Sequence, residues 1–355
     1  MSPRRRIITV ALMIILMSLV ISGCFAERVT VYGKGATFPA PLYGRWIALF
    51  NREYSELEIH YSALCSGAGI HAITEREVQF GASDALLTAS QQQLLPAELL
   101  TLPMVIGPVV MAYNLPGFDA ELTLSGELIA DIYLGRITRW NDPRIASLNP
   151  GVTLPDLKIH VAHREDSSGT TFIFTDYLSA VSATWREQVG KGTQVRWPTG
   201  DEWAGIGNDG VAHRILLLPG GIGYLEIKYA QNAGLKYAAL INRSGERVWP
   251  TLASVQAAES QTPAPTAGML KPSIVNAPGA ASYPICGFTY LLVYQDLSYL
   301  DDPRQAQALV TFLKWALNEG QTVAPELHYT PLPEALRKRT LALVETMAYP
   351  TQLTE

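Results

Sequence analysis

Residues 103–114 read PMVIGPVVMAYN. The run is apolar and rich in β-branched residues, which suits a strand buried on both faces. A strand of that kind needs helices on both sides of its sheet. The flanking chain supplies them, because strand-like and helix-like patterns alternate along it. Residues 58–62 put Ile59 and Tyr61 on one face, Val78 and Phe80 begin another short strand, and Leu157, Ile159 and Val161 alternate again. Residues 222–227 and 290–294 read likewise. Helical spacing falls between them, over residues 39–51, 67–77, 127–134, 170–178, 209–217 and 303–317. The alternation predicts an α/β fold with largely parallel sheets.

The N-terminus decides the compartment. Arg4, Arg5 and Arg6 precede an apolar run over residues 7–21, a length short for a membrane span and right for a signal-peptide core. It ends in Ile21-Ser22-Gly23-Cys24, which resembles a bacterial lipobox. Residues 1–23 are therefore expected to be a lipoprotein signal and Cys24 the lipidated residue, holding the chain on the outer face of the cytoplasmic membrane. Removing the signal takes away three arginines and moves the formal charge from −5 to about −8. An acidic surface argues against nucleic acid as a partner. It leaves a small anion open, because a buried site is governed by its local donors.

About 330 residues remain, and 48% of the sequence is hydrophobic, enough for two domain cores. Residues 257–284, rich in Ala, Pro, Ser and Gly, are expected to form a long surface connection. A chain crossing between two lobes near residues 109–114 and again near that segment would leave a ligand cleft between them. The expected division is residues 24–107 with 283–355 in one lobe and residues 108–282 in the other. Cys65 and Cys286 permit one disulfide in an oxidising compartment, or remain two small buried thiols. The six histidines show no ligand spacing, so neither a metal nor a cofactor is expected.

Four turns share one design, with small hydroxyl residues and glycines directly ahead of a helix. They are residues 33–39 (GKGATFP), 65–69 (CSGAG), 80–84 (FGASD) and 163–171 (HREDSSGTT). A helix N-terminus presents unpaired N–H groups and partial positive charge, a ready place for an anion. A single turn of this kind is usually a structural cap. Several together, one carrying Arg164, point to a convergent anion site.

The phrases GATFPAPLY, FGASDA, LGRITRWNDP, LNPGVTLP and SGTTFIFTDYLS resemble the phosphate-binding-protein family of the bacterial phosphate ABC importer. The resemblance runs from about Val31 to Pro333 and implies a type II periplasmic-binding-protein fold, two α/β lobes closing on inorganic phosphate. It further implies delivery to permease subunits, membrane attachment through the lipid anchor, a monomer, and no enzymatic step. Carried over position by position, the ligand shell falls on Thr37, Phe38, Ser66, Asp84, Arg164, Asp166, Ser168, Gly169 and Thr170. Arg164 offers a planar fork for two phosphate oxygens, and Asp166 is placed to hold that guanidinium.

Asp84 distinguishes among anions. A buried carboxylate repels an anion unless it accepts a proton that the anion carries. Phosphate carries one near neutral pH and sulfate does not, so Asp84 speaks for phosphate and leaves arsenate open. A phosphatase using the same pocket is the rival from another class.

The sequence departs from the family at Cys65 and Ser167, where glycine is common, and adds Glu165 beside Arg164. A Cys65–Cys286 bridge would brace the loop carrying Ser66. Gly205-Ile206-Gly207-Asn208-Asp209-Gly210 formally matches a dinucleotide motif, but Trp197-Pro198-Thr199-Gly200 precedes it, and a loop with a helix cap is the better reading.

Overall fold

The computed structural model describes residues 28–200, 202–262 and 273–349; the signal and Cys24 lie outside the described residues. The spine is β4 (Leu99–Asn114), whose buried centre matches the run read from the sequence. Before it come β1 (Val29–Gly35), α1 (Ala40–Glu53), β2 (Leu57–Ala63), α2 (Ser66–Thr74) and β3 (Phe80–Ser83). After it come β5 (His160–Arg164), α3 (Gly169–Val181), β6 (Ala204–Gly205), α4 (Gly207–Leu217), β7 (Gly221–Glu226) and α5 (Ile227–Asn232). The chain then returns through β8 (Cys286–Tyr294) and α6 (Pro303–Leu317). The sheet runs β2-β1-β3-β8-β4-β7-β5-β6.

The pairing is parallel at both ends of the sheet and antiparallel in its centre. β1 lies parallel to β2 and β3, and β5 lies parallel to β6 and β7. β8 runs antiparallel to both β3 and β4, and β4 runs antiparallel to β7. The sheets are thus less parallel than the alternation implied, because the long strands linking the two halves run against their neighbours. β4 changes partners midway. Residues 99–108 pair with β8, whereas residues 109–114 pair with β7. The two halves of the molecule therefore share one continuous strand.

The apolar side of α1 packs into the core. Trp46 and Phe50 are fully buried, and Phe50 meets Phe312 and Trp315 of α6 edge-on at 5.2 and 5.9 Å. Each such side chain contributes roughly 2–3 kcal/mol of burial. Trp185 and Trp197 are likewise packed inside. Small residues matter where motif segments touch: a Cβ on Gly35 or Gly69 would stand 2.1 or 2.4 Å from the Ala82 carbonyl oxygen. That close packing explains the glycines shared by the first three turns.

One expectation is corrected, and of the two states left open for the cysteines the thiols are found. The segment over residues 257–284 is not simply a surface connection. Its start belongs to a helix, Leu252–Ser260, and Ile274, Ala277 and Tyr283 are buried, with the Tyr283 hydroxyl donating to the Val109 carbonyl at 3.0 Å. Low charge there reflects packing as much as loop structure.

The bridge between Cys65 and Cys286 is not formed, and both are free thiols. Cys65 is the N-cap of α2, its Sγ accepting the Ala68 N–H at 3.4 Å. Cys286 is sealed at the start of β8, where burial pushes its thiol up to about 12. A thiol so far from ionisation is a packing residue.

Candidate anion site

The four turns meet where parallel strands end, the usual position of ligand clefts in α/β sheets. β1 delivers Thr37 and Phe38, the β2–α2 turn delivers Ser66, and β3 runs into Asp84. From the other half, β5 ends at Arg164 and α3 begins at Gly169. Every one of these residues is buried, and Asp166 nearly so.

The two halves touch directly. Ser66 Oγ accepts N–H bonds from Asp84 and Gly169, each at 3.1 Å, and the Gly67 N–H donates to the Ser167 carbonyl at 3.0 Å. The Tyr229 hydroxyl of α5 donates to the Thr37 carbonyl at 2.7 Å. The two halves are therefore in direct contact at these turns.

The hydroxyls share a polarity. Ser66 Oγ accepts from two amides, Ser168 Oγ caps α3 by accepting the Thr171 N–H at 3.1 Å, and Thr170 Oγ1 accepts from Arg164 Nη1 at 3.4 Å. Each acceptor role leaves the hydroxyl's own hydrogen for donation. Donors fixed by bonds behind them are what a buried anion requires, because they need no reorganisation to meet it.

Arg164 is almost wholly buried beside Asp166, with side-chain exposures of 1% and 13%. Its Nε donates to Asp166 Oδ1 at 2.7 Å and its Nη2 donates to Oδ2. Asp166 therefore takes one edge of the guanidinium, leaving the Nη1–Nη2 edge as the fork for an anion. The pair is close to neutral as a unit, so the site attracts through hydrogen bonds more than through net charge. Glu165 is exposed to solvent and Ser167 has no positive φ, so both departures are tolerated.

Asp84 sits 4% exposed, its Oδ1 accepting from the Thr289 hydroxyl at 2.7 Å. Burial pushes the carboxyl up to about 7, against the opposing pull of the Thr289 bond, Arg164 and Ser66. It is the acceptor among the donors.

Sequence reasoning missed Asn208. Its Nδ2 donates to Thr37 Oγ1 at 2.9 Å and to Thr170 Oγ1 at 3.2 Å, so one side chain joins both halves. The residue lies inside the glycine motif set aside above. The motif does follow a strand, but β6 has only two residues, too few to show alternation. Gly207 opens α4 at φ +72, and its N–H donates to Asp166 Oδ1 at 3.2 Å. These bonds tie the motif to the anion site.

The family model for a PBP superfamily domain matches residues 26–319. The phosphate-binding protein PstS of Pasteurella multocida is 39% identical over 318 residues, 89% of this chain and 90% of that protein. PstS of Xylella fastidiosa is 42% identical over 314 residues, 88% of this chain and 84% of that protein. The chain belongs to the PstS family of phosphate-binding proteins.

Solved structures agree on the two-lobe type II fold. A phosphate-binding protein from Stenotrophomonas maltophilia superposes with a TM-score of 0.66 at 20% identity, covering 89% of this chain and 94% of that one. A high-affinity periplasmic phosphate-binding protein, PfluDING, gives 0.71 at 22% identity, covering 91% and 100%. Of the positions read from the motifs, the fold links Thr37, Arg164 and Thr170 through Asn208, and Ser66, Asp84 and Gly169 through the Ser66 hydroxyl.

Proposed function

We propose that this chain is an extracytoplasmic lipoprotein that captures inorganic phosphate between two lobes and hands it to the permease of an ABC importer. The observation that carries the reading is a buried ring of hydrogen-bond donors around one carboxylate acceptor, Asp84. Donors suit the oxygens of phosphate, and the acceptor suits its proton. The PstS relatives support the same ligand. Arsenate, protonated in the same way, would fit the same groups.

The lobes we assign are residues 24–107 with 283–355, and residues 108–282. The change of partner along β4 after Pro108 supports the first crossing, and the start of β8 at Cys286 supports the second. Thr37, Phe38, Ser66 and Asp84 then belong to one lobe, and Arg164, Asp166, Ser168, Gly169, Thr170 and Asn208 to the other. A ligand contacting both selects the closed state by its extra contacts there. Cys24 anchors a monomer to the membrane, and no chemical step is involved. Among the described residues no helix is long and apolar enough to cross a membrane.

Equilibrium dialysis of the ligand-stripped protein with radiolabelled phosphate tests the reading. It predicts one phosphate bound per chain and no hydrolysis of a chromogenic phosphate ester. Turnover of the ester, or no phosphate bound, would overturn it. Asn208→Ala is expected to weaken phosphate binding by about tenfold, since its side-chain bond across the lobes to Thr37 disappears together with the bond that holds Thr170 within its own lobe. The Glu226 N–H, which donates to Asn208 Oδ1 at 3.0 Å, also loses its partner. A drop in melting temperature of a few degrees should therefore accompany it, roughly 1–3 kcal/mol. Calorimetry and a thermal melt check both; unchanged affinity with a lowered melt would make Asn208 purely structural.

A further inference from the structure

We propose that Thr289 is a positioning residue that keeps Asp84 a hydrogen-bond acceptor and so sets the discrimination between protonated and fully deprotonated oxyanions. The inference rests on the phosphate reading of the site and extends it to a residue outside the motif-bearing turns. Thr289 is fully buried on β8, one step beyond the Tyr290–Ser83 pair of the antiparallel ladder, which brings it opposite Asp84. Its hydroxyl donates to Asp84 Oδ1 at 2.7 Å.

The ladder with β3, not the one with β4, sets this contact. The β8–β4 register shifts between Thr289 and Tyr290, opposite Val105 and Pro103. The extra residue, Met104, lies on β4, beside a proline that has no N–H to give the ladder, so β8 stays in register with β3 and Thr289 keeps its place opposite Asp84.

The chemistry follows from the direction of that bond. A hydroxyl donating to Oδ1 favours the ionised carboxylate, which accepts at both oxygens. Oδ2 is then left to accept from the ligand, and it faces the start of α3, where a Cβ on Gly169 would stand 2.7 Å away. Without Thr289 the buried carboxyl would take up a proton more readily. Asp84 would then donate, and an anion with no proton of its own would no longer be repelled.

Among the groups around Asp84, the Ser66 hydroxyl also favours the ionised form, with a weaker effect than Thr289. Arg164 of β5 favours the ionised form from the opposite lobe. Glu226 of β7 opposes it, although burial pushes that carboxyl itself up to about 8. Asp176 and Lys191, which line the same 230 Å³ cavity as Asp84, are paired to each other at 2.7 Å. Tyr43 of α1, Tyr61 of β2 and Tyr290 of β8 all feel the Asp84 charge, and burial first of all raises each phenol so that it stays neutral. Tyr229 of α5 and Tyr329 are raised in the same way.

The test is calorimetry of phosphate and sulfate binding at pH 6, 7, 8 and 9, on the full mature chain and on Thr289→Val, which keeps the shape and removes the donor. In the wild type the ratio of sulfate Kd to phosphate Kd should be large at pH 8 and should narrow below pH 7. In Thr289→Val the narrowing should begin about one pH unit higher, leaving the ratio at pH 8 at least tenfold smaller, and Thr289→Ser should restore it. Thr289→Ala reads the same ratio if the valine variant does not fold. A ratio that follows the wild-type profile in both donor-lacking variants would overturn the role of Thr289, as would an equal loss for both anions at every pH. A wild type that binds the two anions alike would instead sink the phosphate reading itself.

Discussion

Asp84→Asn is expected to bring sulfate binding to within about tenfold of phosphate binding at pH 8. In the wild type a buried carboxylate meets sulfate with no proton between them. An unpaired buried charge costs several kcal/mol, so sulfate should bind at least ~1000-fold more weakly than phosphate. Asparagine presents an amide that donates to sulfate and a carbonyl that still accepts the proton of phosphate. Most of the change should therefore be sulfate gained, with phosphate weakened about tenfold through loss of a charge-assisted bond.

The same variant has a signature in stability. The Asp84 carboxyl rises from 3.8 to about 7 on folding, so the native protein binds more protons than the unfolded chain between those values. Stability then falls as pH climbs through that window and stays lower above it, by at most ~4 kcal/mol. Asparagine has no such dependence. The unliganded variant should melt above the wild type at pH 8 and level with it near pH 3. A lower melt at pH 8 would count against a carboxylate whose burial outweighs its hydrogen bonds.

Gly169→Ala should abolish tight binding while leaving the fold intact. A methyl group there would lie 2.5 Å from both Asp84 Cβ and Ser66 Oγ. Those atoms belong to the opposite half of the cleft, so opening the cleft relieves the clash. Alanine is also acceptable in the first turn of α3, where Gly169 has no positive φ. The clash thus penalises the closed state selectively, and the open state becomes the resting form. Phosphate affinity should fall by about 100-fold or more, with the melt of the unliganded protein shifted by only a few degrees. The rise in melting temperature on adding phosphate, which reports binding to the native state, should largely vanish. A variant that still melts higher with phosphate, as the wild type should, would mean that the cleft closes less tightly than these contacts require.

Much of the fold could be read from pattern alone. The apolar run ending at Asn114 announced β4, and helical spacing over residues 303–317 matched α6 residue for residue. Thr37, Ser66, Asp84, Arg164, Asp166, Gly169 and Thr170 of the expected shell are drawn together by hydrogen bonds, because motifs at strand ends are local features that a sequence displays directly. What escaped notice was non-local. Asn208 follows a two-residue strand, and Thr289 lies in an apolar strand where a lone hydroxyl looks like filler. Only the ladder opposite β3 gives Thr289 its partner. The parallel expectation failed at β4 and β8, since periodicity reports which faces are buried and says nothing of strand direction. Cysteine counting allowed a bridge that the fold does not make, because Cys65 is turned into a helix cap.

The central claim is that the anion is chosen by the proton it carries. Calorimetry of the ligand-stripped mature protein with phosphate and with sulfate at pH 8 tests it most directly. The account predicts tight binding of one phosphate per chain and sulfate weaker by ~1000-fold or more, in keeping with several kcal/mol for an unpaired buried charge. Equal affinity for the two anions would contradict it.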